Sequence, residues 1–124
     1  MENFENEHVN YFDQAISDYK RGTTRMQEHL PDMTKGFFDF TEEAFKEGTI
    51  DQKHKQLMAL SISIYAQDEY CIIYHTKGAV EHGVSEKEIM ETLAISAALG
   101  GGAAFAQAVT LAMDTYNHYN QTLH

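Results

Sequence analysis

Residues 51–102 read DQKHKQLMALSISIYAQDEYCIIYHTKGAVEHGVSEKEIMETLAISAALGGG. The punctuation of this stretch is helical from end to end, and it decides the fold. Asp51 stands where a side-chain carboxylate would cap a helix start. Leu57 to Ala66 is apolar almost all round, which predicts a central, buried helix. After Gln67 and Asp68, a further helix carries Cys71 and His75 to His82, and Gly83 ends it. Ser85 with Glu88 three residues on is a capping box that opens the next helix. Ile89, Leu93 and Ala97 give that helix its buried side, and Gly100 to Gly102 stop it.

Outward from this core the pattern stays helical. Val9, Phe12, Ile16 and Tyr19 form an apolar stripe on a first helix expected from Glu5 to Lys20. Pro31 can open a second helix, reaching about Lys46 and carrying Phe37, Phe38, Phe40 and Phe45 on its apolar face. Gly48 reads as the glycine that closes it. A last helix is expected from Ala103 to Tyr119, with Phe105, Val109, Ala112 and Tyr116 at helical spacing. No segment reads as a strand. The expectation is an all-α single domain of about six helices over residues 1–124, with a pocket where the 51–67 and 69–82 helices meet.

The formal net charge of −10 repels phosphate backbones and lacks a polybasic membrane patch, so neither nucleic acid nor a membrane is an expected partner. A single cysteine cannot form an intramolecular disulfide. The start, MENFENEHVNYF, has neither the basic nor the apolar region of a signal peptide, and the cytoplasm is the expected compartment. No charged residue occurs between Thr92 and Met113, a run long enough to span a bilayer. Its alanine-rich, glycine-broken composition reads instead as closely packed helices at a subunit interface.

Asp68, Cys71 and His75 stand at i, i+3 and i+7, on one stripe of one helix. Cys71 falls in the first turn, where unpaired N–H groups favour an anion and lower a thiol pKa. His75 could take the thiol proton, which is how a Cys–His pair makes a nucleophile. Asp68 opposes this, because a carboxylate beside a thiolate raises its pKa. The competing reading is a small buried cysteine beside an incidental histidine. His75 and His82, with Glu81 and His54 nearby, make no closed ligand set, and no metal is expected. His118, Tyr119 and His124 read as a solvated, frayed end. There is no phosphate-cradling glycine loop and no GxSxG elbow, and no cofactor is expected.

Residues 51–102 resemble the core of the carboxymuconolactone decarboxylase family, which includes alkylhydroperoxidase D and its relatives. The resemblance rests on Lys53, the apolar run Leu57 to Ala66, Cys71, His75, Ala79, Gly83, Ser85, Glu88, Ile89, Glu91 and the glycines at 101 and 102. It implies an all-helical domain that assembles as trimers or hexamers. In the peroxidase members two cysteines cycle through a disulfide, while a glutamate and the histidine relay protons. The second family cysteine falls on Cys71 and the histidine on His75. The first cysteine falls on Asp68 and the relay glutamate on Gln56, which cannot exchange a proton at neutral pH. The disulfide cycle therefore cannot run within this chain. A one-cysteine reaction remains: Cys71 attacks a peroxide, becomes sulfenic acid, and an external thiol reductant restores it. The resemblance thus implies a thiol peroxidase with Cys71 and His75 as the active pair, supported by Gln56, Asp68 and Tyr74. Two alternatives stay open. His75 could be the acid/base group of a decarboxylase acting on a small carboxylated lactone, or the fold could serve binding or assembly without catalysis.

Overall fold

The computed structural model describes the backbone from Phe4 to His124 and the side chains from Tyr11 onward. Among the described residues every regular element is a helix. These are α1 (Phe4–His29), α2 (Pro31–Phe45), α3 (Gln52–Ala66), α4 (Glu69–Glu81), α5 (Glu86–Gln107) and α6 (Met113–Leu123), with a π-helical turn, Ala108–Ala112, between the last two. The chain forms two compact units, one ending at Thr49 and the other spanning Ile50–His124.

In the first unit α1 runs past the expected end at Lys20 to His29. Gly22 does not stop it. A glycine inside a helix costs only about 1 kcal/mol, and no proline follows until Pro31. Gln14 and Arg21 both donate to Asp18 Oδ1, at 2.9 and 2.8 Å, bracing the helix just before that glycine. Phe12, Ala15 and Ile16 are buried, as the apolar stripe requires, whereas Tyr19 is exposed. Val9, the first member of the stripe, lies outside the residues whose side chains are described. Pro31 does open α2, at its first turn. α2 ends at Lys46 in extended backbone, so Gly48 is not its closing glycine. Phe37 and Phe40 of its aromatic face stand exposed, at 54% and 71%.

In the second unit the caps fall where the sequence places them. Asp51 Oδ1 accepts the His54 backbone N–H at 2.8 Å. Ser85 and Glu88 complete both bonds of the capping box, at 2.9 and 3.1 Å. Glu88 also pairs with Lys53 Nζ at 2.8 Å, tying the start of α5 to the start of α3. α3 packs on α4 and α5, and α4 packs on the π turn and α6. Leu60, Ile64, Ile72, Ile73 and Ile89 are wholly buried between them. Ser96 on α5 reaches α3 twice, sharing a hydroxyl contact with Ser61 Oγ at 2.8 Å and donating to Ser61 O at 3.0 Å.

Five expectations are corrected here. α3 is not buried all round: Met58, Ile62 and Tyr65 share one exposed stripe. The third buried position of α5 is Ser96 rather than Ala97. α5, the π turn and α6 follow one another from Glu86 to Leu123 with no loop between them, so five separate helical runs replace the expected six. The glycine triplet still breaks the path, because Gly101 has φ 77° and ψ −156°, outside the helical region. Beyond it the inward positions are Ala104, Ala108, Ala112 and Tyr116, while Phe105 and Val109 are exposed. The π turn widens the helix locally and shifts which residues face inward. The C-terminal end is also not frayed. His118 and Tyr119 are buried, and His124 Nε2 donates to the Val80 carbonyl at 3.2 Å.

By length and composition the run from Glu86 to Leu123 is long and apolar enough to cross a membrane, with its backbone interrupted at Gly101.

Candidate functional site

The site lies where α3 meets α4, and the connection between these helices sets it. α3 closes in a Schellman motif: Gln67 N–H donates to Ile64 O and Asp68 N–H to Ser63 O, each at 3.1 Å. Gln67 occupies the left-handed position, φ 59° and ψ 41°, that glycine usually fills. Asp68 then caps α4, its Oδ1 accepting from the Cys71 N–H at 3.4 Å. Asp68 therefore serves as the start of the helix that carries Cys71.

Cys71 is half-buried in the first turn of α4. Burial pushes its thiol pKa upward, and the Asp68 carboxylate adds to this by charge and by hydrogen bonding. The helix N-terminus, as the sequence suggests, acts in the opposite direction. At rest the sulfur keeps its proton.

One turn on, His75 is half-buried and its Nδ1 lies 3.0 Å from Gln56 Oε1 of α3. A carboxamide oxygen can only accept, so this contact suits a ring whose Nδ1 carries the proton. Burial lowers the His75 pKa, so the ring is neutral at pH 7. The Tyr74 ring meets the imidazole edge to face, with centroids 5.4 Å apart, and is itself 45% exposed. Cys71 and His75 thus stand one turn apart on α4, the thiol pKa raised and the imidazole pKa lowered, each with a partner of its own in Asp68 and Gln56.

The structure brings Gln56 to His75 and Asp68 to Cys71, and it sets Tyr74 beside His75. The residues considered for a metal do not converge. His54 bonds Asp51 Oδ1 at 2.7 Å, and Glu81 pairs with Lys77 at 3.5 Å. His82 reaches the Gly78 carbonyl with Nδ1 at 2.8 Å and Gln52 Oε1 with Nε2 at 3.3 Å. Among the described residues no group of three or more His, Cys, Asp or Glu side chains is placed to hold a metal ion.

Gly78 is the residue that the sequence reading missed. It is buried in mid-α4, where glycine costs about 1 kcal/mol relative to alanine. A Cβ built there would lie 2.5 Å from Gln56 Oε1 and 2.7 Å from Gln56 Cδ. The available signal was a glycine inside a helix, three residues after His75, with no turn to make.

Residues 31–114 match the model of the carboxymuconolactone decarboxylase family. Uncharacterized protein 4 in the cox locus of Paracoccus denitrificans is 35% identical over 72 residues, covering 58% of this chain and 65% of that protein's length. An uncharacterized protein of Cupriavidus necator is 26% identical over 87 residues, covering 70% of this chain and 77% of its own. Among solved structures, an apo carboxymuconolactone decarboxylase family protein of Legionella pneumophila superposes with a TM-score of 0.84 at 25% identity, over 88% of this chain and 96% of its own. A family member from Thermotoga maritima, to which involvement in an antioxidative response is ascribed as a possibility, gives a TM-score of 0.78 at 26% identity, over 87% and 92%.

Proposed function

The chain belongs to the carboxymuconolactone decarboxylase family, and on that premise we propose that it is a one-cysteine thiol peroxidase serving an antioxidative role. The observation that carries this is the placement of Cys71 and His75 one turn apart on one helix, with Gln56 Oε1 3.0 Å from the imidazole. The antioxidative role ascribed to the Thermotoga relative supports it.

The step balances without a relay carboxylate. His75 Nε2 accepts the thiol proton as Cys71 sulfur attacks the terminal peroxide oxygen. An S–O bond forms and the O–O bond breaks. Sulfur is oxidised by two electrons, the peroxide is reduced, and His75 returns the same proton to the departing alkoxide. One proton leaves sulfur and one is needed by oxygen, so Gln56 need carry none. An external thiol then displaces the sulfenic oxygen as water, and a second thiol releases Cys71. Because the resting thiol is protonated, turnover is slow at neutral pH and rises with pH.

We further propose that the chain works in the cytoplasm as a trimer or hexamer on a small-molecule substrate. Ile62, Ile95 and Leu99 support the assembly, since each is 59% or more exposed and two of them lie in the charge-free run. Between copies of an acidic chain, a charge-free face is where close approach meets least repulsion.

The raised thiol pKa favours one second reading, in which His75 alone works as acid/base and protonates the carbanion left by loss of CO₂ from a small carboxylated lactone. Trapping with a sulfenic-acid reagent after peroxide treatment separates the two. The expected result is a single adduct on Cys71 of the native protein, prevented by prior thiol and absent in Cys71→Ser. A native Cys71 left unmodified by excess peroxide would refute the peroxidase reading.

A further inference from the structure

We propose that Gln56 is the positioning residue of His75, holding the imidazole with its proton on Nδ1 and its lone pair on Nε2, and that Gly78 is the residue that admits it. This deepens the reading above, since it names the nitrogen that acts as base in that reaction.

The argument starts from what a carboxamide can do. It neither takes up nor releases a proton at neutral pH, so Gln56 acts on His75 through geometry alone. Its oxygen lies 3.0 Å from Nδ1, and a carbonyl oxygen only accepts. Nδ1 therefore carries the proton and Nε2 is left as the basic nitrogen. A carboxylate at the same place would stabilise imidazolium and raise the histidine pKa. Glutamine brings no such charge, and burial lowers the His75 pKa.

The carboxamide has this position only because residue 78 has no side chain. A Cβ there would lie 2.5 Å from Gln56 Oε1, 2.7 Å from Cδ and 3.2 Å from Nε2, so any other residue would displace the group. A second contact fixes the spacing at this point. His82 Nδ1 lies 2.8 Å from the Gly78 carbonyl and its Nε2 3.3 Å from Gln52 Oε1, and Gln52 lies one turn before Gln56 on α3. Two glutamine–histidine pairs thus join the same two helices on either side of Gly78.

The test is nitrogen NMR of the His75 imidazole in the full chain, assigned by the signals lost in His75→Gln and read without substrate. Wild type is expected to show the neutral Nδ1–H tautomer. Gly78→Ala should shift the population toward Nε2–H, although an alanine there would meet Gln56 and not the ring. Gln56→Ala should do the same, and Gln56→Glu should raise the His75 pKa. A wild-type ring protonated on Nε2, or a folded Gly78→Ala with an unchanged tautomer, overturns the proposal. Circular dichroism reports folding. If Gly78→Ala does not fold, an unchanged tautomer in Gln56→Ala or an unchanged titration in Gln56→Glu overturns it instead. Absence of peroxide oxidation alongside the expected tautomer would sink the peroxidase reading and leave this assignment standing.

Discussion

Asp68 stands three residues before Cys71 and does two things to it at once. Its carboxylate accepts the Cys71 backbone N–H at 3.4 Å and so starts α4, and its charge helps hold the neighbouring thiol protonated. Structure and reactivity are opposed in one side chain.

Asp68→Asn separates the two roles. Asparagine caps helices about as well as aspartate, so stability should change by less than about 0.5 kcal/mol. Removing the charge should lower the thiol pKa and speed Cys71 alkylation at pH 7. Burial is the larger cause of the shift and persists, so the pKa should stay above that of a solvated thiol. A pH–rate profile with iodoacetamide, read on the single cysteine, checks both points. Identical profiles for the two proteins would show that Asp68 does not tune the thiol.

The lowered His75 pKa makes a prediction about acid. The sign follows from burial: the folded state disfavours the imidazolium, so its pKa lies below the unfolded value of about 6.5. The neutral ring then contributes stability that is fully present above about pH 6.5 and lost as pH falls through the folded pKa. His75→Gln should lose less stability than wild type over that interval, measured by urea unfolding at a series of pH values. Equal losses would place the acid sensitivity elsewhere.

Ser85→Ala removes one half of the capping box and should cost about 1 kcal/mol. Leu60→Ala empties a wholly buried position between α3 and its neighbours and should cost about 2–5 kcal/mol. Chemical denaturation measures both. The ordering matters more than either value, since a larger loss at Ser85 would mean that the cap outweighs the core in this unit.

Leu99→Asp should convert an assembled species to a smaller one in sedimentation velocity, because Leu99 is 76% exposed in the single chain. A wild-type protein that sediments as a monomer at micromolar concentration would remove the trimer or hexamer proposal.

Much of this arrangement was legible in the sequence, and the limit has a physical cause. Asp51, Ser85 and Glu88 announce themselves because capping is local: donor and acceptor sit three residues apart. Gln56 could be placed beside His75 only through the family resemblance, since the two are 19 residues apart and no local rule joins them. Gly78 was visible as a glycine, but its reason is a carboxamide on another helix. The π turn and the buried His118 were hidden for a related reason. A one-residue shift in hydrogen bonding leaves no mark in composition, yet across it the inward positions pass from Ala104 and Ala108 to the expected Ala112 and Tyr116, leaving Phe105 and Val109 outside.

The two-residue connection of Gln67 and Asp68 has an evolutionary consequence. With one residue spent on a left-handed turn and the other on a helix cap, no loop is left that could lengthen, swing or acquire an insertion between α3 and α4. Enzymes commonly diversify by remodelling loops on a rigid frame. Along this edge that route is closed, and new chemistry can arise only by exchanging side chains across a fixed gap. Asp68 beside Cys71 and Gln56 beside His75 are the positions where such an exchange would act on that pair.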